Sequence, residues 1–563
     1  MNSVLALSLQ AQALASLGDV ESARVYIDKV FAVSPTHPRT KILLGTMLAA
    51  SSETVAEGKA ILLDLSEGEA AKMASPTQRA DAYLARADVA ISAREYPEAL
   101  GLVSTAVALV PNNRAFRIRA IDFAIRLRDY NVAREHAKQL LTMNAEDPAG
   151  VIGLARAKLG TKETLGAYSD LQVALKKHPD DADLNFWFGI AAKEMGKVQE
   201  AREQFERAQK LDPHAAAPVV ENVLDAVEHG KLTNALKIAD AAMTQVNASE
   251  RHRVRAAKAY AFARRRQFKE ASEEYLKALG ENPRDSDARA RYVETLIAMK
   301  QLDDADKQAA EAMLMDSKNP AVLIASGAVS QARGNEKIAL DRFEEAMQLA
   351  PTAWEPYARA AVAAARLKDV QRARGLAETA GQLRPGNPDV IAAQAQVTVL
   401  QDPKQAATLM AQAVEAAPED PTMQYLLGTV HQSMGAALEA IDALKRAVGL
   451  APDYADAWFA LGKVYRELGR TEDAKRAFAE VSRIDEHRAD AWVETANILG
   501  AAGDDVGALA AYERAQTAEP QNPNSICAMG ETLVERMGED PKNVRRGLEM
   551  LERCVKLSPE HPT

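Results

Sequence analysis

Prolines recur along this chain at a fixed spacing. Pro179 and Pro213 stand 34 residues apart, as do Pro351 and Pro385, and Pro418 and Pro452. Pro111 and Pro179, Pro283 and Pro351, and Pro452 and Pro520 stand 68 apart, two periods. A period of this length means stacked copies of one supersecondary element, each burying its apolar face against the next. The 563 residues therefore read as one continuous array, although a globular chain of that length would split into several domains.

The other residues keep the same register. From Ala455 to Arg488, Trp458 is followed by Leu461, Gly462, Tyr465, Ala474 and Phe478. The next copy has Trp492, Ala496, Gly503, Ala508, Tyr512, Ala515 and Pro520, and it supplies the proline that Glu486 replaces in the copy before it. Gly189, Gly196, Ala201, Phe205, Ala208 and Pro213 repeat the spacing upstream, as do Gly327, Gly334, Ala339, Phe343, Ala346 and Pro351. Repeat positions 4, 7, 8 and 11 fall on one side of a first helix, A. Position 8 is Gly or Ala in most copies, so a neighbouring helix can come close. Position 20, in a second helix B, is almost always Ala, where a larger side chain would overpack the A–B contact at about 1–3 kcal/mol. Position 15 is often Gly (Gly18, Gly196, Gly230, Gly334, Gly435, Gly469, Gly503), which suits the left-handed residue after a helix end. Asp147-Pro148, Asn319-Pro320, Asn387-Pro388, Asp420-Pro421 and Asn522-Pro523 each place a capping side chain before a proline at the first helical position.

This pattern, W-x2-L-G-x2-Y…A-x3-F…P, resembles the tetratricopeptide repeat family over essentially the whole chain. The resemblance implies an all-α fold: a right-handed superhelical α-solenoid of about sixteen antiparallel helix pairs. In register, the repeats begin near residues 4, 38, 80, 114, 148, 182, 216, 252, 286, 320, 354, 388, 421, 455, 489 and 523. The second is longer, the seventh gains two residues, the twelfth loses about one at its turn, and the last carries an insertion around Gly538-Glu539-Asp540-Pro541. Ile121, Val223 and Val293 occupy position 8 of the fourth, seventh and ninth repeats, so the local spacing is expected to change there.

Composition removes other classes. Hydrophobic residues make up 47% and aromatics only 5%, which favours closely packed helices over a β-rich core. A net charge of −10 argues against a general nucleic-acid binder. No apolar run is long enough for a bilayer and no signal-peptide pattern opens the chain. Two cysteines imply no disulfide framework. Cys554 reads as a small buried residue and Cys527 as a residue on the groove side, with no metal or redox role for either, while the compartment stays open between cytoplasm and periplasm.

No catalytic motif emerges. Gly160-Thr161-Lys162 lacks the ending of a phosphate loop, and Gly462-Lys463 is followed by Val464 instead of a hydroxyl. Gly500, Gly503 and Gly507 have the wrong spacing for a dinucleotide loop. The nine histidines are scattered, and Asn247-Ala248-Ser249 is too common a glycosylation match to weigh. The chain is read as having no catalytic residues, no cofactor and no metal.

Positions 2, 5, 9, 12 and 13 of helix A lie opposite its core stripe, and by resemblance they line a concave groove. Three clusters stand out as candidates for partner binding. Arg126 and Arg156 accompany Ile118, Ile125 and Ile152; Tyr260 and Arg264 lie beside Arg253; and Tyr425, Phe459, Lys463 and Arg466 fall together in the thirteenth and fourteenth repeats. Aromatic and Arg side chains dominate interface energies, and Arg grips carboxylates with two prongs. Cations at the end of a helix A also simply favour its dipole. Asn497 is a suitable groove residue, but the Lys and Asn companions of a terminal-carboxylate clamp are missing.

The expected function is a scaffold whose groove holds partner proteins or peptides, with several sites adding avidity. The Ala- and Arg-rich, bacterial type of composition suggests an envelope process such as polysaccharide export, secretion or motility. The alternative is the recruiting or regulatory arm of an enzyme whose catalytic domain lies elsewhere. An RNA-reading array is disfavoured, because groove positions change character from repeat to repeat. Helix A of the first repeat starts near Met1, and His561-Pro562-Thr563 resembles the start of another repeat, so the chain is expected to be a section of a longer protein.

Overall fold

A computed structural model describes residues 6–7, 10–11, 20–34, 37–49, 54–93, 95–399 and 401–558. The start of the first repeat, Gly18 and His561-Pro562-Thr563 lie outside the described residues. The described residues form helices and no strand. They group into two compact bodies, Met1–Asn222 with Ile238–Val254, and Val223–Lys237 with Arg255–Thr563.

Within each body, helices pair in antiparallel fashion. In the first, Arg114–Arg126 pairs with Tyr130–Met143, Pro148–Gly160 with Thr164–Lys177, and Ala182–Glu194 with Val198–Leu211. In the second, Pro320–Ala332 pairs with Glu336–Leu349, Ala455–Glu467 with Thr471–Ile484, and Ala489–Ala501 with Asp505–Ala518. The helix starts are made by the capping pairs seen in the sequence. Asp147 accepts from the Ala149 N–H, Asn319 from Ala321, Asp420 from Thr422 and Asn522 from Ser525, each followed by Pro at the first helical position. The third repeat begins earlier than the register suggests, at Pro76. Ser75 and Gln78 form a reciprocal capping box there, satisfying two otherwise orphaned N–H groups and starting the helix four residues before position 80.

The turn after helix A needs a left-handed residue at position 15. Gly196, Gly334, Gly435, Gly469 and Gly503 supply it with φ between 71° and 82°. In other repeats a cation takes the same conformation: Arg128, Lys162, Arg266, Lys300 and Lys368 have φ between 60° and 67°.

Two packing rules hold the pairs together. Position 20 Ala, as at Ala167, Ala201, Ala305, Ala339 and Ala474, is completely or almost completely buried. Position 8 Gly lies against a phenylalanine of its own helix B: a Cβ on Gly189, Gly327 or Gly462 would fall 2.7, 2.5 or 2.7 Å from Phe205, Phe343 or Phe478. Where position 8 is bulky, the next repeat gives way. Ile121 packs against Gly153, where a Cβ would sit 3.0 Å from it.

Helix A also touches helix A of the following repeat, as Ser286–Ala298 touches Pro320–Ala332 and Trp354–Arg366 touches Pro388–Thr398, while helices B of adjacent repeats stay further apart. The A helices therefore form the inner face of each body. This contact draws position 5 into the packing in several repeats, where Leu84, Ile152, Ala290, Ile324 and Ala358 are buried, while Ile118, Phe186 and Phe459 at the same position stay half-buried.

Cys527 and Cys554 are joined in a disulfide between helix A (Pro523–Glu531) and helix B (Pro541–Leu557) of the last repeat. This corrects the expectation of a groove-facing Cys527 and of no disulfide. Position 5 turns inward here as well, both sulfurs are buried, and the two Cα atoms lie 5.1 Å apart, a distance a disulfide spans.

Candidate partner-binding face

The three sequence clusters meet different fates. In the first body, Arg126 ends its helix exposed, with its guanidinium 5.6 Å from the Phe123 ring. Arg156 reaches back one repeat to Asp122, 2.5 Å away, and forward one repeat to lie 4.9 Å over the Trp187 ring. Cation, carboxylate and indole thus brace three successive A helices. Around them Ile118, Ile125, Phe186, Trp187 and Ile190 are half-buried, leaving apolar surface on the inner face.

Three carboxylates on this face are held above the usual range although each keeps solvent contact, Asp183 being exposed and Asp81 and Asp88 half-buried. Burial raises Asp88 above the usual carboxylate range despite Arg119, to which it is paired at 3.0 Å. Asp81 is raised for the same reason against the pull of Arg119 and Arg39. Asp183 is raised by burial and by the repulsion of Asp181, Asp212 and Asp122, only partly offset by Arg156.

In the second body, Tyr260 and Arg264 do not face open solvent. Arg264 donates to Asp389 at 2.8 Å and to Asp420 at 2.5 Å, and its Nη1 lies 3.3 Å from the Tyr260 hydroxyl. Arg291 covers the Tyr260 ring at 4.3 Å. Burial pulls the Arg264 guanidinium down, but the two aspartates more than offset this and hold it well above its ordinary value. Nearby, Glu294 holds Arg359 above its usual range against burial, and burial raises Glu355.

The third cluster is drawn into packing. Tyr425 lies 5.0 Å from the Tyr454 ring, with burial raising its hydroxyl. Phe459 sits between Phe478 at 5.6 Å and the Arg488 guanidinium at 4.5 Å. Arg466 pairs with Glu494 of the next repeat, and Lys463 is half-buried on the same helix. Asn497 accepts from the Tyr512 hydroxyl at 2.6 Å.

Sequence reasoning missed the acidic partners, because Asp389, Asp420 and Glu494 sit on other repeats. Asp420 was legible only as a helix cap, and it serves both roles. Among the described residues, no group of His, Cys, Asp or Glu could hold a metal, and no helix is long and apolar enough to cross a membrane.

Sequence models of the tetratricopeptide repeat match residues 154–216 and 399–455, and a second such model matches 431–493. No curated protein matches. Similar solved structures include the APC/C hetero-tetramer Cut9–Hcn1, at 14% identity over 85% of this chain and 98% of that one with a TM-score of 0.45. Another is YrrB, described as a TPR protein with an unusual peptide-binding site, at 24% identity over 33% of this chain and 96% of that one with a TM-score of 0.27. Tetratricopeptide repeats are thus matched over residues 154–216 and 399–493, and the 34-residue signature and the paired helices recur between and beyond them, which supports a tetratricopeptide repeat protein that serves as a protein-interaction scaffold.

Proposed function

We infer that this scaffold receives a partner protein on the inner face of its first body, across the fourth to sixth repeats. The observation that carries this reading is the half-buried apolar strip of Ile118, Ile125, Phe186, Trp187 and Ile190, with Arg126 exposed beside it. Such a strip can bury apolar area on binding, and Arg126 can take a carboxylate at its edge. The partner is a protein and not a nucleic acid, since the surrounding face carries Asp81, Asp88, Asp122 and Asp183 alongside its cations. The disulfide supports an oxidising compartment, and with it an envelope process over a cytoplasmic one.

Photo-crosslinking tests the reading. A photoreactive residue is placed at Arg126 or Ile190 on the inner face, and at Leu165, which is 65% exposed on a helix B. The expected outcome is one protein captured from both inner positions and not from Leu165. Capture from Leu165 alone, or nothing from either inner position, refutes the placement.

A further inference from the structure

Stacked repeats ordinarily touch only their neighbours. The second body departs from this, and in register. The A–B turn of the seventh repeat meets the end of the twelfth: a Cβ on Gly230 would collide with the backbone of Ala417. The turn of the eighth repeat meets the end of the thirteenth, with the Arg266 guanidinium 3.5 Å from the centre of the Tyr454 ring. The turn of the ninth meets the end of the fourteenth, with Lys300 Nζ 2.6 Å from Asp485. The chain has coiled once and closed on itself along a seam.

Inside the seam, inner-face side chains occupy one another. Arg264 holds Asp389 and Asp420 across 125 and 156 residues, and the Asp420 side chain is 1% exposed. At the rim, Arg384, just past the helix Val370–Leu383, holds Glu228 at 2.7 Å. Around Arg264 the inner face of the second body is filled by the protein's own charges.

We propose that this seam is an autoinhibitory latch: the eighth to fourteenth repeats present their inner face to a partner only when the turns of repeats seven to nine part from repeats twelve to fourteen. The proposal rests on the reading that inner faces receive partners. The chemistry of the two kinds of contact makes parting local. Neighbouring repeats are held by buried Ala, Leu and Phe, whose burial drives folding. The seam is held by ion pairs, two hydrogen bonds from Thr233 to the Glu419 carboxylate, a cation on a ring and one backbone approach. Rim pairs such as Lys300–Asp485 exchange readily for water. A buried pair gives back much of its attraction as desolvation, yet loses strongly if one partner is removed. The latch therefore opens without unstacking the repeats, and Arg264 is its most sensitive point, because without its aspartates it would remain buried and uncompensated.

The test is a distance measurement on the full chain. Cysteines are placed at Lys307 and Glu486, exposed residues on either side of the contact between the ninth and fourteenth repeats that leave the Lys300–Asp485 pair intact, and spin-labelled without reductant, the native pair being already bonded. Double electron–electron resonance is recorded for this protein and for the same protein carrying Asp389→Asn and Asp420→Asn. Asn at 420 can still cap its helix, so the fold should survive, as far-ultraviolet circular dichroism will show. The expected result is a narrow short-distance peak in the parent that is lost to longer distances in the double variant. A parent without the short peak, or a double variant that keeps it, overturns the proposal. If the double variant loses helicity, Arg384→Glu at the rim decides by the same criterion. No partner is involved, so failure of crosslinking at Arg126 would leave this result intact, and failure here would leave the first-body site intact.

Discussion

The Gly–Phe contact inside the repeats makes a prediction about sign. Gly327 lies mid-helix, and Gly→Ala in a helix interior normally stabilises by about 1 kcal/mol. Here the new Cβ would lie 2.5 Å from Phe343 Cε1, 2.9 Å from Cδ1 and 3.1 Å from Cζ. Carbon atoms rest about 3.5–4.0 Å apart, so the ring must retreat by about 1 Å. Phe343 is fully buried in a cluster with Leu323, Ile324 and Ala339, and it has little room to do so. Overpacking of this kind costs about 1–3 kcal/mol, so Gly327→Ala should be net destabilising by about 0–2 kcal/mol. Gly375→Ala is the control: it is in the helix Val370–Leu383, and its Cβ would meet nothing within 4 Å. It should stabilise by about 0.5–1 kcal/mol. In a Phe343→Leu background Gly327→Ala should turn stabilising, because the ring that rejects the methyl is gone. Urea unfolding of the full chain, with amide hydrogen exchange read over residues 320–349, measures both. If Gly327→Ala stabilises the parent as much as Gly375→Ala does, the close approach of position 8 to the phenylalanine is not what selects glycine.

Asp147 caps a helix and takes the Arg114 guanidinium at 2.6 and 2.8 Å; Asp147→Ala should cost about 1–2 kcal/mol in thermal or urea unfolding, and Asp147→Asn less. Its hydrogen bond to Arg114 holds its carboxyl below the usual range, so the contribution is present above the unfolded value of 3.8 and is lost as pH falls through the folded value. Asp81 has the opposite sign: burial raises it, so charge on it opposes folding at neutral pH. Asp81→Asn should raise the urea midpoint at pH 7, with the advantage gone below 3.8. Removing the Cys527–Cys554 bond, which closes a separation of 27 residues, should weaken the last repeat by about 3 kcal/mol; faster amide exchange over 523–557 after reduction is the readout. Lys368 is exposed with φ 63°, and relief of a left-handed non-glycine residue should make Lys368→Gly stabilising by about 1 kcal/mol.

The fold was legible because each repeat obeys rules of short range. A cap before a proline, a small residue facing a ring and a left-handed turn are all decided within one repeat, and their recurrence makes the period readable. Position 5 was misjudged because burial there depends on the neighbouring helix A, which a single helix at 100° per residue does not contain. Ile152 and Cys527 are the cost of that omission. The disulfide was hidden similarly: Cys527 and Cys554 carry no spacing motif, and only the pairing of their two helices brings them together. For the candidate face, the types of residue were readable but their partners were not. Arg264 looked available because the aspartates that take it lie 125 and 156 residues away.

Position 15 shows how a local rule and a long-range contact share one residue. A left-handed turn is cheapest with glycine, and Gly196, Gly334, Gly435, Gly469 and Gly503 meet that need with their Cβ positions open. Gly230 meets it too, but there the missing Cβ also admits Ala417. Arg266 and Lys300 accept the strain of a positive φ at the turns of the eighth and ninth repeats, and each reaches the far side of the coil, to Tyr454 and Asp485. The absent side chain at 230 and the long cations at 266 and 300 therefore do complementary things in consecutive repeats: one lets backbones touch, and two bridge a wider gap. A repeat array with glycine at every such turn would have lower local strain but would lack both bridges. Its concave face would then be set by neighbour stacking alone. The consensus glycine at 230 and the departures from it at 266 and 300 are thus what turn a stack of independent neighbours into a closed body.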